Sequence, residues 1–151
     1  GLAPAITKSE RVMFREALAD FDMGLEDRMN TKVGLLSGGQ RQVVTLLMAT
    51  LVPPRLLLLD EHTAALDPAT AEKVMEITKR IVERENLTTL MITHNVKSAL
   101  ETGDRTIMLD AGNIIFDIGK EERIGMTVED LMKKYSNKKH EEFDNDRAIF
   151  S

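Results

Sequence analysis

Apolar positions along the chain fall into successive blocks of helical and strand character. Met13, Ala17, Leu18 and Phe21 recur at helical spacing after Ser9, a residue type suited to capping a helix, and Gly24 supplies a stop. These predict a first helix starting at Ser9, with residues 1–8 as a lead-in and 25–33 as a short polar stretch. A second helix is predicted from Gly38 to about Val52, with Val43, Val44, Leu47 and Leu51 inward. Pro53-Pro54 ends it, since neither residue has an amide hydrogen to donate. Leu56 to Leu59 is an unbroken apolar run, the pattern of a strand buried on both faces. A helix from Pro68 to about Arg84 follows, with Val74, Ile77, Ile81 and Val82 inward. Thr88 to Thr93 reads as a second buried strand leading to His94, and a short helix runs from Val96 to a stop at Gly103. Arg105–Asp110 and Asn113–Asp117 flank Ala111-Gly112, which predicts a hairpin. Thr127 opens a last helix carrying Val128, Leu131, Met132 and Tyr135, and the charge-rich tail from Ser136 is expected to be mobile.

Strand, helix, strand, helix, strand is an α/β alternation with a mostly parallel sheet. Before Pro53 there is no strand pattern. Residues 1–53 are therefore expected to form part of a helical subdomain, 54–135 the α/β core, and 136–151 the tail.

Composition narrows the class without naming it. The 151 residues are 42% hydrophobic and 30% charged, as in an ordinary soluble globular domain rather than a disordered chain. A net charge of -5 gives nothing electrostatic to favour nucleic acid as a partner. Cysteine is absent, which rules out disulfides and thiolate metal sites. No apolar run approaches the roughly 18 residues needed to span a bilayer. The nine methionines are best read as core filler.

Candidate chemistry sits in four places, and each has a plain structural reading beside it. Ser37-Gly38-Gly39-Gln40 is a capping box, Ser-x-x-Gln, with glycines that ease the turn. The same helix start would also expose amides and a positive dipole end to an anion. Asp60 and Glu61 end the leucine strand, where open α/β sheets bind ligands, although charged residues also commonly close buried strands. If they are functional, Asp60 would hold Mg²⁺ through a water and Glu61 would act as general base. Asp67 before Pro68 is a sufficient N-cap. His94, at the end of the next strand, is either a satisfied strand-end histidine or an imidazole able to hydrogen-bond a γ-phosphate.

The order of these segments is similar to that of the ATP-binding cassette (ABC) ATPases. Leu36-Ser37-Gly38-Gly39-Gln40 resembles the signature motif of that family. Leu56 through Glu61 resembles its Walker B strand with catalytic glutamate, Ala65-Leu66-Asp67 its D-loop, and Thr93-His94 its switch histidine. The resemblance covers about Ser9 to Ile118 and implies a partial P-loop-NTPase-like α/β core beside part of a helical subdomain. It implies ATP and Mg²⁺ as cofactors. It also implies hydrolysis between two head-to-tail ATPase subunits, coupled to a transmembrane permease from the cytoplasmic face of a membrane. Glu61 and His94 would then be catalytic and Asp60 would place the metal. Ser37, Gly38, Gly39 and Gln40 would contact ATP held by the second subunit, and Asp67 would lie at the dimer seam.

Two departures qualify that expectation. His62 stands where the family usually has proline, which alters loop stiffness and suggests no catalytic role. The only G-x-x-x-x-G spacing, Gly34 to Gly39, continues with Gln40-Arg41 instead of Lys and Ser or Thr, so no Walker A loop is present. The Q-loop glutamine is missing as well. The chain thus resembles the C-terminal portion of such a domain, with the N-terminal half of the same domain as an implied partner. Alone, it is expected to be inactive and to leave an unpaired sheet edge. A non-catalytic binding module and a soluble, non-transport ABC ATPase are the alternatives.

Overall fold

A computed structural model describes the backbone of residues 6–149 and the side chains of residues 6–138. The chain divides into two compact units, Gly1–Ile92 and Thr93–Ser151.

In the first unit, α1 (Lys8–Ala19) is followed by a 3-10 turn (Val33–Leu35), α2 (Gly38–Thr50), β1 (Leu57–Asp60), α3 (Pro68–Arg84) and β2 (Thr89–Ile92). β1 and β2 pair in parallel, with Leu57 opposite Thr89 and Asp60 opposite Ile92. The core is the seam between the helices and one sheet face. Val43 and Leu46 of α2, Val74, Ile77 and Ile81 of α3, and Leu57 and Leu59 of β1 are buried there, with Phe21, Leu25, Leu36 and Leu87. Each such side chain contributes about 1.5–3 kcal/mol by leaving water.

Several expectations change here. The first helix starts earlier than Ser9 because Thr7 caps it: its hydroxyl accepts from the Glu10 amide at 3.2 Å, and Glu10 accepts from the Thr7 amide at 2.8 Å. That reciprocal pair satisfies two helix-end donors, which Ser9 alone does not match. The helix ends at Ala19 rather than at Gly24, which sits beyond it in a turn at φ +66°. Within the helix the apolar stripe is largely exposed, Met13 and Ala17 included, and only its C-terminal end meets the core, with Leu18 packed against it and Phe21, just past the helix, buried in it. In α2, which stops at Thr50, the inward set is Val43, Leu46 and Thr50, with Val44 and Leu47 only partly buried and Leu51 exposed.

The larger correction concerns the leucine run. β1 alternates buried and exposed positions, and Leu58 is 64% exposed. Leu90 and Ile92 of β2 are exposed likewise. Within the first unit, among the described residues, α2 and α3 pack on the face that carries Leu57 and Leu59, so the alternation of a half-covered strand replaces burial on both faces.

The second unit contains α4 (Val96–Glu101), β3 (Thr106–Asp110), β4 (Asn113–Ile118), α5 (Lys120–Arg123) and α6 (Val128–Ile149). β3 and β4 form the expected hairpin, antiparallel, with Ala111 at φ +47° and Gly112 at φ +81° in the two-residue turn. Among the described residues these strands form a sheet of their own and do not extend the parallel pair. Ile115, Phe116, Ile118 and Leu131 are its core. Helix α6 carries the charged sequence after Ser136 as far as Ile149.

Candidate functional site

The glycine motif is a helix start in the structure. Ser37 caps α2: its Oγ accepts from the Gln40 amide at 3.2 Å, and the Gln40 side chain accepts from the Ser37 amide at 3.0 Å. Gln40 also donates through Nε2 to the Met23 carbonyl at 2.8 Å, which ties the cap to the turn after α1. Arg41 donates to the Leu36 carbonyl at 2.9 Å and holds the incoming loop.

The two glycines have a packing role that motif spacing does not reveal. A Cβ on Gly39 would lie 2.4 Å from Cγ2 of Thr70 and 3.2 Å from Cε of Met23. One on Gly38 would lie 2.9 Å from Cδ2 of Leu66. Bare backbone lets α2 approach the start of α3 this closely. The structure thereby brings Ser37–Gln40 against the Leu66–Thr70 segment. Asp67 caps α3 as expected, accepting from the Thr70 amide at 3.1 Å with Pro68 next in line. Hydrogen bonding with Thr70 holds its carboxyl below the usual value.

Asp60 is the last residue of β1, exposed, with Ile92 as its register partner. The ladder continues one step further, since the Glu61 amide donates to the Ile92 carbonyl at 2.9 Å. Glu61 then turns the chain, with φ at +43°, a conformation disfavoured for a residue with a Cβ. Consecutive carboxylates are thus delivered at the carboxyl end of a parallel strand, the edge where open α/β sheets take ligands. His94 is exposed and lies past the end of β2, in the second unit.

A contact absent from the sequence reading lies immediately after Glu61. His62 Nε2 sits 3.1 Å from Oγ1 of Thr78, a residue buried in α3. Burial pushes the imidazole pKa below its ordinary 6.5 and favours the neutral ring. No sequence signal links positions 62 and 78; only the packing of the turn on α3 does.

Asp60 suits Mg²⁺ as a hard oxygen donor. Among the described residues no three His, Cys, Asp or Glu gather to hold a metal ion.

The ABC transporter family matches residues 6–64. A tyrosine transport ATP-binding protein of Clostridioides difficile is 48% identical over 118 residues, covering 78% of this chain and 47% of that protein. The chain belongs to the ABC ATPase family. A phosphonates import ATP-binding protein of Lactobacillus johnsonii is 36% identical over 136 residues, covering 90% of this chain and 53% of the relative. Among solved structures, a dimeric ATP-binding cassette in a post-hydrolysis state bound to ADP and Pi superimposes with a TM-score of 0.58. Its sequence is 33% identical, and the match covers 79% of this chain and 51% of that one. A nucleotide-free ATP-binding cassette from an ABC transporter gives 0.59 at 26% identity, covering 79% of this chain and 46% of the other. The chain spans about half the length of the curated relatives it matches.

Proposed function

We propose that this chain is part of an ABC transporter ATPase subunit, which binds and hydrolyses ATP at a head-to-tail dimer interface to drive transport across a membrane. The observation that carries the reading is the Asp60-Glu61 pair at the carboxyl end of β1, in the same unit as a capped glycine helix start packed on Leu66–Thr70.

In this reading Asp60 holds Mg²⁺ through a water. Mg²⁺ held there would supply positive charge to offset that of the phosphates. Glu61 accepts a proton from the attacking water as general base. His94 hydrogen-bonds the γ-phosphate. Ser37, Gly38, Gly39 and Gln40 present the start of α2 to ATP bound by the second subunit, and Asp67 lies at the seam between the two. The phosphate cradle comes from the N-terminal half of the same domain. The exposed face of Leu58, Leu90 and Ile92 supports that partnership, because a two-layer half-sheet leaves apolar surface for further structure to cover. Among the described residues no helix is long and apolar enough to cross a membrane.

Phosphate release by the 151-residue chain is compared with release by the chain assembled with the N-terminal half of the domain, each with and without Glu61→Gln. The chain alone should release negligible phosphate from ATP. The assembly should hydrolyse ATP, and Glu61→Gln should slow it by roughly 100- to 10,000-fold, the range for losing a general base. Hydrolysis that survives Glu61→Gln would overturn the assignment.

A further inference from the structure

Glu61 occupies the left-handed region at φ +43°, where a residue with a Cβ persists only if its surroundings hold it. Two backbone bonds contribute: its amide to the Ile92 carbonyl, and its carbonyl accepting from the Ala64 amide, both at 2.9 Å. A side-chain tie reaches further, into helix α3. His62, next in the chain, places Nε2 3.1 Å from Oγ1 of Thr78. Thr78 is 3% exposed, and its hydroxyl lies 2.8 Å from the Val74 carbonyl. That hydroxyl has a single proton, and a carbonyl can only accept. With the proton committed to Val74, Oγ1 can only accept from the imidazole. The hydrogen between the two side chains therefore belongs to His62 Nε2.

We propose that His62 is a positioning residue for Glu61: its Nε2–H, anchored on Thr78, fixes the turn that leaves β1. The two residues share a peptide bond, so pinning the imidazole to α3 fixes that peptide plane and the direction in which the Glu61 side chain departs. A chain of bonds from the Val74 carbonyl through Thr78 and His62 thus connects the body of α3 to the end of β1. Its functional weight rests on Glu61 being the general base.

Nuclear magnetic resonance on the ¹⁵N-labelled 151-residue chain tests this without nucleotide. Long-range imidazole ¹H–¹⁵N correlations should show His62 as the Nε2–H tautomer. Hydrogen exchange at the Glu61 amide should speed up about tenfold or more in His62→Ala and in Thr78→Val, while the amides of Ile77 and Ile81 keep their wild-type rates. His62→Gln, which offers an amide donor near the Nε2 position, and Thr78→Ser should restore slow exchange at Glu61. Thr78→Val keeps the volume of the core, so it carries the test if His62→Ala does not fold. An Nδ1–H tautomer would overturn the proposal, as would Glu61 exchange that matches wild type in both variants or rises only together with Ile77 and Ile81. Failure of the hydrolytic assignment would show instead as phosphate release insensitive to Glu61→Gln.

Discussion

Gly39 shows how one position serves two demands. The motif reading makes it an open approach for phosphate, yet it is buried, with Thr70 and Met23 occupying the space a side chain would need. Gly39→Ala should therefore destabilise the first unit by about 1–3 kcal/mol, the usual cost of overpacking. Urea unfolding without nucleotide checks this; an unchanged midpoint would mean the glycine is there only for a ligand. Ser37 and Gln40 were legible as a capping box because that motif is local. The Thr70 contact was not, because it depends on how two helices cross. His62 teaches the same point: sequence suggested only a change in loop stiffness, whereas its partner is a buried hydroxyl on α3.

At the level of elements, ends matter more than interiors. Helix α4 spans only Val96–Glu101, too short to persist on its own propensity. Arg123 holds its last turn, donating to the carbonyls of Ala99 at 3.2 Å, Thr102 at 3.0 Å and Gly103 at 2.6 Å, and also to that of Leu100. Arg123→Ala should cost the second unit on the order of 2–3 kcal/mol, and Arg123→Lys should recover only part of it, because a single ammonium nitrogen cannot replace both guanidinium nitrogens, of which Nη1 serves Gly103 and Nη2 the other carbonyls. Thermal melts followed by far-ultraviolet circular dichroism would read both. At the start of α6, Asp130 accepts from the Thr127 amide at 2.9 Å and the Thr127 hydroxyl at 2.7 Å, and these bonds hold its pKa below 3.8. A carboxyl whose folded pKa is depressed stabilises the fold above its unfolded value. That contribution should be complete above pH 3.8 and fade as pH falls through the folded value. Asp130→Asn should flatten this part of the acid unfolding curve, and an identical curve for the variant would refute the cap.

For the molecule as a whole, the decisive feature is coverage. Leu58, Leu90 and Ile92 form an apolar face on a sheet with open edges, and such faces promote association. The isolated chain should sediment with concentration-dependent size, and Leu58→Lys with Leu90→Lys should shift it toward monomer. A concentration-independent monomer that binds no apolar dye would contradict this.

The sequence by itself determined the kind and order of the main elements, the hairpin turn, the caps at Ser37 and Asp67, and the family, because caps, turns and motifs are short-range patterns. It misjudged the leucine run and the inward place of Leu51, since an apolar residue records what it would bury and not whether a neighbour exists to bury it. The tertiary structure alone decided which face of β1 is covered, why Gly38 and Gly39 carry no side chain, and that the turn after Glu61 is tied to α3. Those outcomes depend on contacts between residues far apart in the chain, and such contacts arise only when helices and strands pack.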